Sequence, residues 1–305
     1  MTRVRDFLVH KCLCMLPLRY KRRLFLDLAK LLGVSKIRTK GDYGDISGFL
    51  DDNHIFGVYV REGVWSAHIN AIFVEYFSSE KFGTFLDIGA NIGLTTIPVA
   101  KNRQVFCHAF EPDPDSFELL QENVRHNAGS NVQLHKVALF SDAAPLTLAV
   151  SAENRGNHII QHGIPNRSPH PFRDRKTIEV RGERLDGILD IGRLKMPLAI
   201  KIDAEGSEYH IYKGGRNIIR LADLAVIEYW PYGIKNMTGD TDEMIKMMEE
   251  DFDYAKILDE GAPFGFRDLK RCSSILYELK NMSDRSLEME FADRSVDVLL
   301  TKRVL

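Results

Sequence analysis

The stretch FLDIGANIGLTT, Phe85 to Thr96, runs from an apolar strand pattern into an apolar helix pattern. Gly89 and Gly93 stand where the chain must turn tightly and let a ligand approach the backbone. Asp87 ends the strand and can accept hydrogen bonds from a cationic group. A dinucleotide site has the spacing GxGxxG, with the pyrophosphate on the helix N-terminus. Here the spacing is GxxxG and an acid precedes the first glycine. That suits a ligand with an ammonium group better than a pyrophosphate. The alternative is a tight strand–helix turn that holds no ligand.

On the C-terminal side the same alternation continues. QVFCHAFEP reads as a strand, DSFELLQENVRHN as a helix, VQLHKVALF and LTLAVS as strands. After a polar interruption, PLAIKIDAEG, LAVIEYW, YAKIL and SVDVLLTKR read as strands, with helices over SEYHIYKGGRNIIRLA and TDEMIKMMEE. Strand–helix alternation with apolar, β-branched strands predicts a doubly wound α/β fold, its mostly parallel sheet covered on both faces. No helix is expected between the last two strands, so an antiparallel edge is expected there. On the N-terminal side, HINAIFVEYFSSEK reads as a helix and IFGVYVREG as a strand. Residues 36–53, rich in Gly and Asp, read as a linker. Residues 1–35 read as helical, split by Pro17. The expected organisation is a basic helical N-terminal extension and linker over 1–54 and an α/β domain over 55–305. The polar stretch 152–176 has the length and composition of a lid or substrate loop.

Composition bounds the rest. At 44% hydrophobic and 28% charged residues, the chain has ordinary globular values. A net charge of −2 argues against a general nucleic-acid binder. Residues 1–40 hold eleven Lys/Arg and two Asp/Glu, a balance of +9, which leaves −11 for the remainder. Arg19, Lys21, Arg22 and Arg23 beside an apolar stripe make this end a candidate for peripheral membrane contact. Packing of the stripe on the body or on a second subunit of a homo-oligomer is the alternative. The four cysteines form no metal-type pair, and no stretch resembles a signal peptide or a membrane span, so a reducing, cytoplasmic setting is expected.

Two further motifs carry chemistry. In FEPDPDSF, Phe110 to Phe117, Glu111 ends the next strand, 18 residues past Gly93. A carboxylate there can accept both hydroxyls of a ribose. Pro112 and Pro114 end the strand, and Asp115 or Ser116 is expected to start the helix. In IKIDAEGSE, Ile200 to Glu208, Asp203 falls at the C-terminal edge of the sheet, with Glu205 and Glu208 close by. Asp203 is the candidate for positioning a ligand, and Glu205 or Glu208 for a general base. The plainer alternative has Glu208 capping the next helix and Glu205 paired with a neighbouring Lys or Arg. His210 could join these acids around Mg²⁺ or Ca²⁺, but no recognised ligand spacing is present and no metal is assigned. Glu228 in VIEYW is a candidate for either substrate contact or structure. His158 in the NRGNH loop is a further candidate base.

Together DIGANIGLT, FEPDP, ALFSD, IKIDAEGSE and VIEYW resemble the FkbM family of S-adenosylmethionine-dependent methyltransferases over roughly residues 55–305. Ile88 and Ala204 each replace a commoner Val without altering the chemistry. The resemblance implies the seven-stranded class I methyltransferase (Rossmann-like) sheet, with S-adenosylmethionine as cofactor. It implies that Asp87, Gly89, Ala90, Asn91 and Gly93 hold the methionine end and Glu111 the ribose. Ser141, Asp142 and Ala143 would approach the adenine, with Asp142 accepting from the exocyclic amine. It further implies O-methylation of a sugar, glycan, polyketide or other small-molecule hydroxyl, and no nucleic-acid partner. The rival readings are a non-catalytic module on the same fold and a nucleotide-dependent oxidoreductase on a similar sheet.

Overall fold

The computed structural model describes residues 26–29, 31–151, 154–162, 175–258, 269–286 and 294–304. The basic cluster Arg19–Arg23 and residues 152–153 and 163–174 of the insertion lie outside these. Two strands, β1 (Lys36–Gly41) and β2 (Gly44–Phe49), form an antiparallel hairpin turning at Asp42 and Tyr43. Helices α1 (Phe56–Glu62) and α2 (Ala67–Glu80) follow. Then come β3 (Gly83–Ile88), α3 (Thr96–Ala100), β4 (Val105–Phe110), α4 (Pro114–Asn127) and β5 (Val132–His135). Short strands β6 (Ala138–Leu139), β7 (Pro145–Val150), β8 (Ile159–Ile160) and β9 (Lys176–Glu183) make a separate sheet of order β6-β9-β7-β8. The chain continues through α5 (Leu185–Ile188), β10 (Leu198–Ile202), α6 (Glu208–Ile219) and β11 (Leu224–Tyr229). It ends with α7 (Pro231–Asn236), α8 (Thr241–Asp251), β12 (Tyr254–Leu258), β13 (Lys270–Arg271), α9 (Cys272–Arg285) and β14 (Val296–Thr301).

The main sheet has the order β13-β12-β14-β11-β10-β3-β4-β5. The strands from β11 to β5 are parallel, and β14 is antiparallel to both β11 and β12. This is the doubly wound, Rossmann-like sheet of seven strands, with the two-residue β13 added at one edge. The expected antiparallel edge is present, but α9 lies between the last two long strands where no helix was expected.

Strand parity explains how the sheet is covered. In β3, Leu86 and Ile88 pack with Leu198, Ile200 and Ile202 of β10 into the core under α6 and α8. Phe85 faces the other way, onto Phe73 and Phe77 of α2, with ring centroids 4.7 and 6.3 Å apart. Burying each such side chain stabilises the fold by about 1.5–3 kcal/mol. Asp87 and Lys201 share that second face and stand directly across from each other in the parallel register.

Two elements differ from the sequence reading. Residues 56–62 form α1, not a strand: the buried Phe56, Tyr59 and Val60 follow helical spacing. The buried Asp52 side chain caps this helix, accepting the backbone N–H groups of His54, Ile55 and Phe56 at 3.0–3.1 Å. Residues 36–49 form the hairpin, not a linker. Their glycines make room for neighbours: a Cβ on Gly48 would lie 2.2 Å from the Phe56 ring. At α4, Asp113 is the N-cap, accepting from Ser116 N–H at 2.8 Å, with Pro114 in the first helical position. Among the described residues, no helix is long and apolar enough to cross a membrane.

Candidate active site

A cavity opens along the C-terminal ends of β3, β4 and β10, where the strand order diverges from β3 to β4 on one side and β10 on the other. Connections leave in opposite directions at such a point, which opens a crevice for ligand. The chain leaves β3 at Gly89, whose φ of +81° is left-handed. A Cβ there would sit 1.8 Å from the Asp203 carbonyl oxygen, so only glycine lets the two loops pass. The N–H groups of Gly89 and Ala90 both donate to the Phe110 carbonyl, at 3.1 and 3.0 Å, which stitches the loop to the end of β4. Gly93 faces α4, with Leu120 2.9 Å from where its Cβ would be, so its missing side chain serves helix packing.

Glu111 sits at the tip of β4 and is 6% exposed. Its Oε2 accepts the Asn91 N–H at 2.9 Å and its Oε1 the Asp113 N–H at 2.8 Å. Burial pushes its carboxyl up to about 8. Asn91 itself is held at a φ of +48°, and its Nδ2 donates to the Arg155 carbonyl at 3.0 Å. Residues 154–156 are thereby tied across the mouth of the glycine loop. The Arg155 guanidinium lies 4.1 Å over the Phe49 ring and reaches Asp51 and Asp115, each at 3.3 Å.

On the opposite wall, Asp203 follows β10 and accepts the Lys201 ammonium at 3.0 Å. Lys201 is 5% exposed and also lies 3.8 Å from Asp87. Burial pulls its pKa down, but Asp203 and Asp87 outweigh that and raise it above the ordinary lysine value. Asp87 is wholly buried; its Oδ2 accepts from the Thr96 hydroxyl at 2.6 Å and its Oδ1 has no hydrogen-bond partner among the described residues. Burial raises its carboxyl, against the pull of Lys201.

Glu205 is held at a φ of +53° and lines the cavity beside Asp203. Burial, then the charges of Asp203 and Glu208, hold its carboxyl well above the usual carboxylate range. Glu208 does not line the cavity. Its Oε1 accepts the Ala204 and Gly206 N–H groups at 2.8 and 3.2 Å, so it fixes the turn that carries Glu205. Burial raises its carboxyl to about 7. Glu228 has a buried Oε2 without a hydrogen-bond partner among the described residues, and burial, then the charges of Asp203, Glu205 and Glu208, raise its carboxyl too.

The structure therefore brings Gly89, Asn91, Glu111, Asp203 and Glu205 to one cavity. Asp87, Ala90, Gly93 and Glu208 are buried behind its walls and support them. Asp142 departs from expectation: it is exposed, bonded to the Ser141 hydroxyl at 2.9 Å, in the turn that carries the chain away to β7. Val137, Ala138 and Leu139 line the cavity in place of residues 141–143. His210 does not join the acids either. Its Nε2 lies 2.7 Å from the Met237 carbonyl, and its ring stacks on Phe140 at 4.1 Å. Among the described residues, no three His, Cys, Asp or Glu side chains converge to hold a metal ion.

The sequence reading missed several residues of the site, Lys201 behind the wall and others lining it. Lys201 was signalled by its two-residue spacing from Asp203, which puts both on one strand face. Trp65 lines the cavity and is fixed by its carbonyl, which accepts from Tyr43 Oη and Asn70 Nδ2, both at 2.9 Å. No local signal marks it, nor His54 and Ile55 beside it.

The sheet order and the two-walled cavity at its divergence define the Rossmann-like methyltransferase class of α/β protein. The sequence pattern of the Methyltransferase FkbM domain matches residues 87–255, more than half of the chain, and the chain belongs to that family. It is 25% identical over 150 residues to a hexuronic acid methyltransferase, AglP, of Haloferax volcanii, covering 49% of this chain and 57% of that protein. It is 28% identical over 141 residues to Methyltransferase 1 of Beauveria bassiana, covering 42% and 57%. The chain thus spans a little over half the length of these two curated relatives. Among solved structures it is similar to a precorrin-6y C5,15-methyltransferase from Geobacter metallireducens, with a TM-score of 0.37, 12% identity and coverage of 79% and 93%.

Proposed function

We propose that this protein transfers a methyl group from S-adenosylmethionine to a hydroxyl of a sugar, glycan, polyketide or other small molecule. The observation that carries the reading is a single cavity with Glu111 on one wall and Asp203 with Glu205 on the other. The donor set suits the cofactor. Glu111 keeps acceptor capacity on both oxygens for a ribose diol, and the cavity wall is acidic where a cationic ligand would lie. When bound, the cofactor supplies an electrophilic methyl on a sulfonium. The name of the Haloferax volcanii relative, a hexuronic acid methyltransferase, favours a sugar-type acceptor.

In this reading Asp203, fixed by Lys201, orients the acceptor, and Glu205 takes the hydroxyl proton. It does so from its ionised form, which the raised carboxyl makes a stronger base than an ordinary carboxylate. Glu208 acts through Glu205 as a positioning residue. Calorimetry with S-adenosylmethionine, S-adenosylhomocysteine and NAD, followed by methyl incorporation into a panel of hydroxyl acceptors, tests the reading. The expected result is binding of the first two and not of NAD. Glu205→Gln should then lower turnover by about 10²–10⁴-fold while S-adenosylhomocysteine still binds. Binding of NAD alone, or full turnover in the Gln variant, would sink it.

A further inference from the structure

The wall formed by residues 154–160 carries one buried polar atom without a hydrogen-bond partner among the described residues. Ser151 N–H donates to His158 Nδ1 at 3.0 Å, so in the neutral ring the hydrogen stands on Nε2. The His158 side chain is 7% exposed, lines the cavity, and its Nε2 makes no hydrogen bond among the described residues. The nearest acid oxygen, Asp113 Oδ2, is 3.9 Å away, beyond hydrogen-bond reach, and already accepts from Ser116. Burial lowers the His158 pKa and so favours the neutral ring.

Position fixes what this donor can meet. Asp113 follows Glu111 by two residues, so the 3.9 Å approach to its carboxyl puts His158 on the Glu111 side of the cavity. The wall is held in place. Ile159 and Ile160 pair with β7, Arg155 O accepts from Asn91, and a Cβ on Gly156 would lie 2.6 Å from Ile55. A donor beside the Glu111 acceptor forms a pair that reads a group offering both a hydrogen and a lone pair. Ribose hydroxyls and the adenine edge are such groups. With its hydrogen on Nε2, the ring is not placed to take a proton from an acceptor hydroxyl, which sets aside His158 as the base.

We infer that His158 is a specificity-determining residue of the cofactor pocket, donating its Nε2–H to an acceptor atom of the nucleoside half of S-adenosylmethionine. This rests on the cofactor reading given under Proposed function. The test is calorimetric titration of wild type, His158→Phe and His158→Gln with S-adenosylhomocysteine and with adenosine. Phe fills the space without the donor, and both ligands should bind about tenfold more weakly. Gln offers an N–H at similar reach and should stay within about threefold of wild type. If His158→Phe does not fold, His158→Asn decides, because Asn can still accept from Ser151 N–H but places nothing at Nε2. Wild-type affinity in a folded Phe or Asn variant overturns the inference alone. Absence of binding by the wild type overturns the cofactor reading and this inference with it.

Discussion

Glu111 concentrates the cofactor question in one carboxyl. It takes two backbone N–H groups yet titrates near 8, because burial outweighs both bonds. At pH 7 the ligand-free protein therefore holds it mostly protonated. Ribose hydroxyls that donate to a carboxylate favour its ionised form, so binding should lower its pKa and release a proton. The release should approach roughly one proton per cofactor bound at neutral pH. It appears as a binding enthalpy that differs between phosphate and Tris buffers. The Glu111→Gln variant should show weaker binding and no buffer dependence. Equal enthalpies in both buffers for the wild type would mean that Glu111 does not titrate on binding. The same scale shows what the motifs made legible. Asp203 and Glu111 were readable because each directly follows a strand, Glu205 because it lies two residues past Asp203, and strand ends meet at one sheet edge. Asp87 was readable as important, but not its place behind the wall against Lys201.

Elements read well where periodicity was local and poorly where composition reflected distant packing. The strands β3, β4, β10 and β11 were plain from unbroken apolar runs, because parallel strands are covered on both faces. The hairpin was misread because its glycines make room for Phe56, Tyr59 and Asn127, contacts that no local pattern records. Its attachment to α4 is polar. Asn123 Nδ2 donates to the Ser47 and Ile92 carbonyls at 3.0 and 2.9 Å, and its Oδ1 accepts Ser47 N–H at 2.7 Å. Asn123 thus joins the hairpin, α4 and the glycine loop in one buried side chain, 1% exposed. Asn123→Ala strands the Ser47 N–H and two carbonyls, and should cost about 2–4 kcal/mol in urea unfolding. Cofactor affinity should fall as well, since Ile92 lies in the glycine loop. A loss under about 1 kcal/mol would mean that the ion pairs of Lys36 and Arg38 with Glu122 anchor the hairpin instead.

For the whole molecule, the cavity is closed by parts that lie far apart in sequence. The FkbM pattern covers the floor along the sheet and residues 154–158 of the roof, whereas residues 49–55, which the roof joins to them across a separation of about a hundred positions, lie outside it. The stretch 152–176 was legible as a lid, but its partner 49–55 was not, because neither segment has a reason to face the other until the sheet has formed beneath them. Arg155 is the fastening. Its guanidinium spans Phe49, Asp51 and Asp115, and its carbonyl takes the Asn91 side chain. Both acids are largely exposed, 58% and 63%, so the pairs themselves add little to global stability. Holding the roof closed over a bound ligand is a different matter, because release requires it to open. Arg155→Ala should therefore leave the melting temperature of the ligand-free protein within a few degrees of wild type. In stopped-flow displacement, S-adenosylhomocysteine should leave about three- to tenfold faster, and the association rate should change less. High salt should narrow the gap by screening the exposed pairs of the wild type. An unchanged dissociation rate would show that ligand leaves by another side of the cavity, and that Arg155 fastens the surface without governing the site.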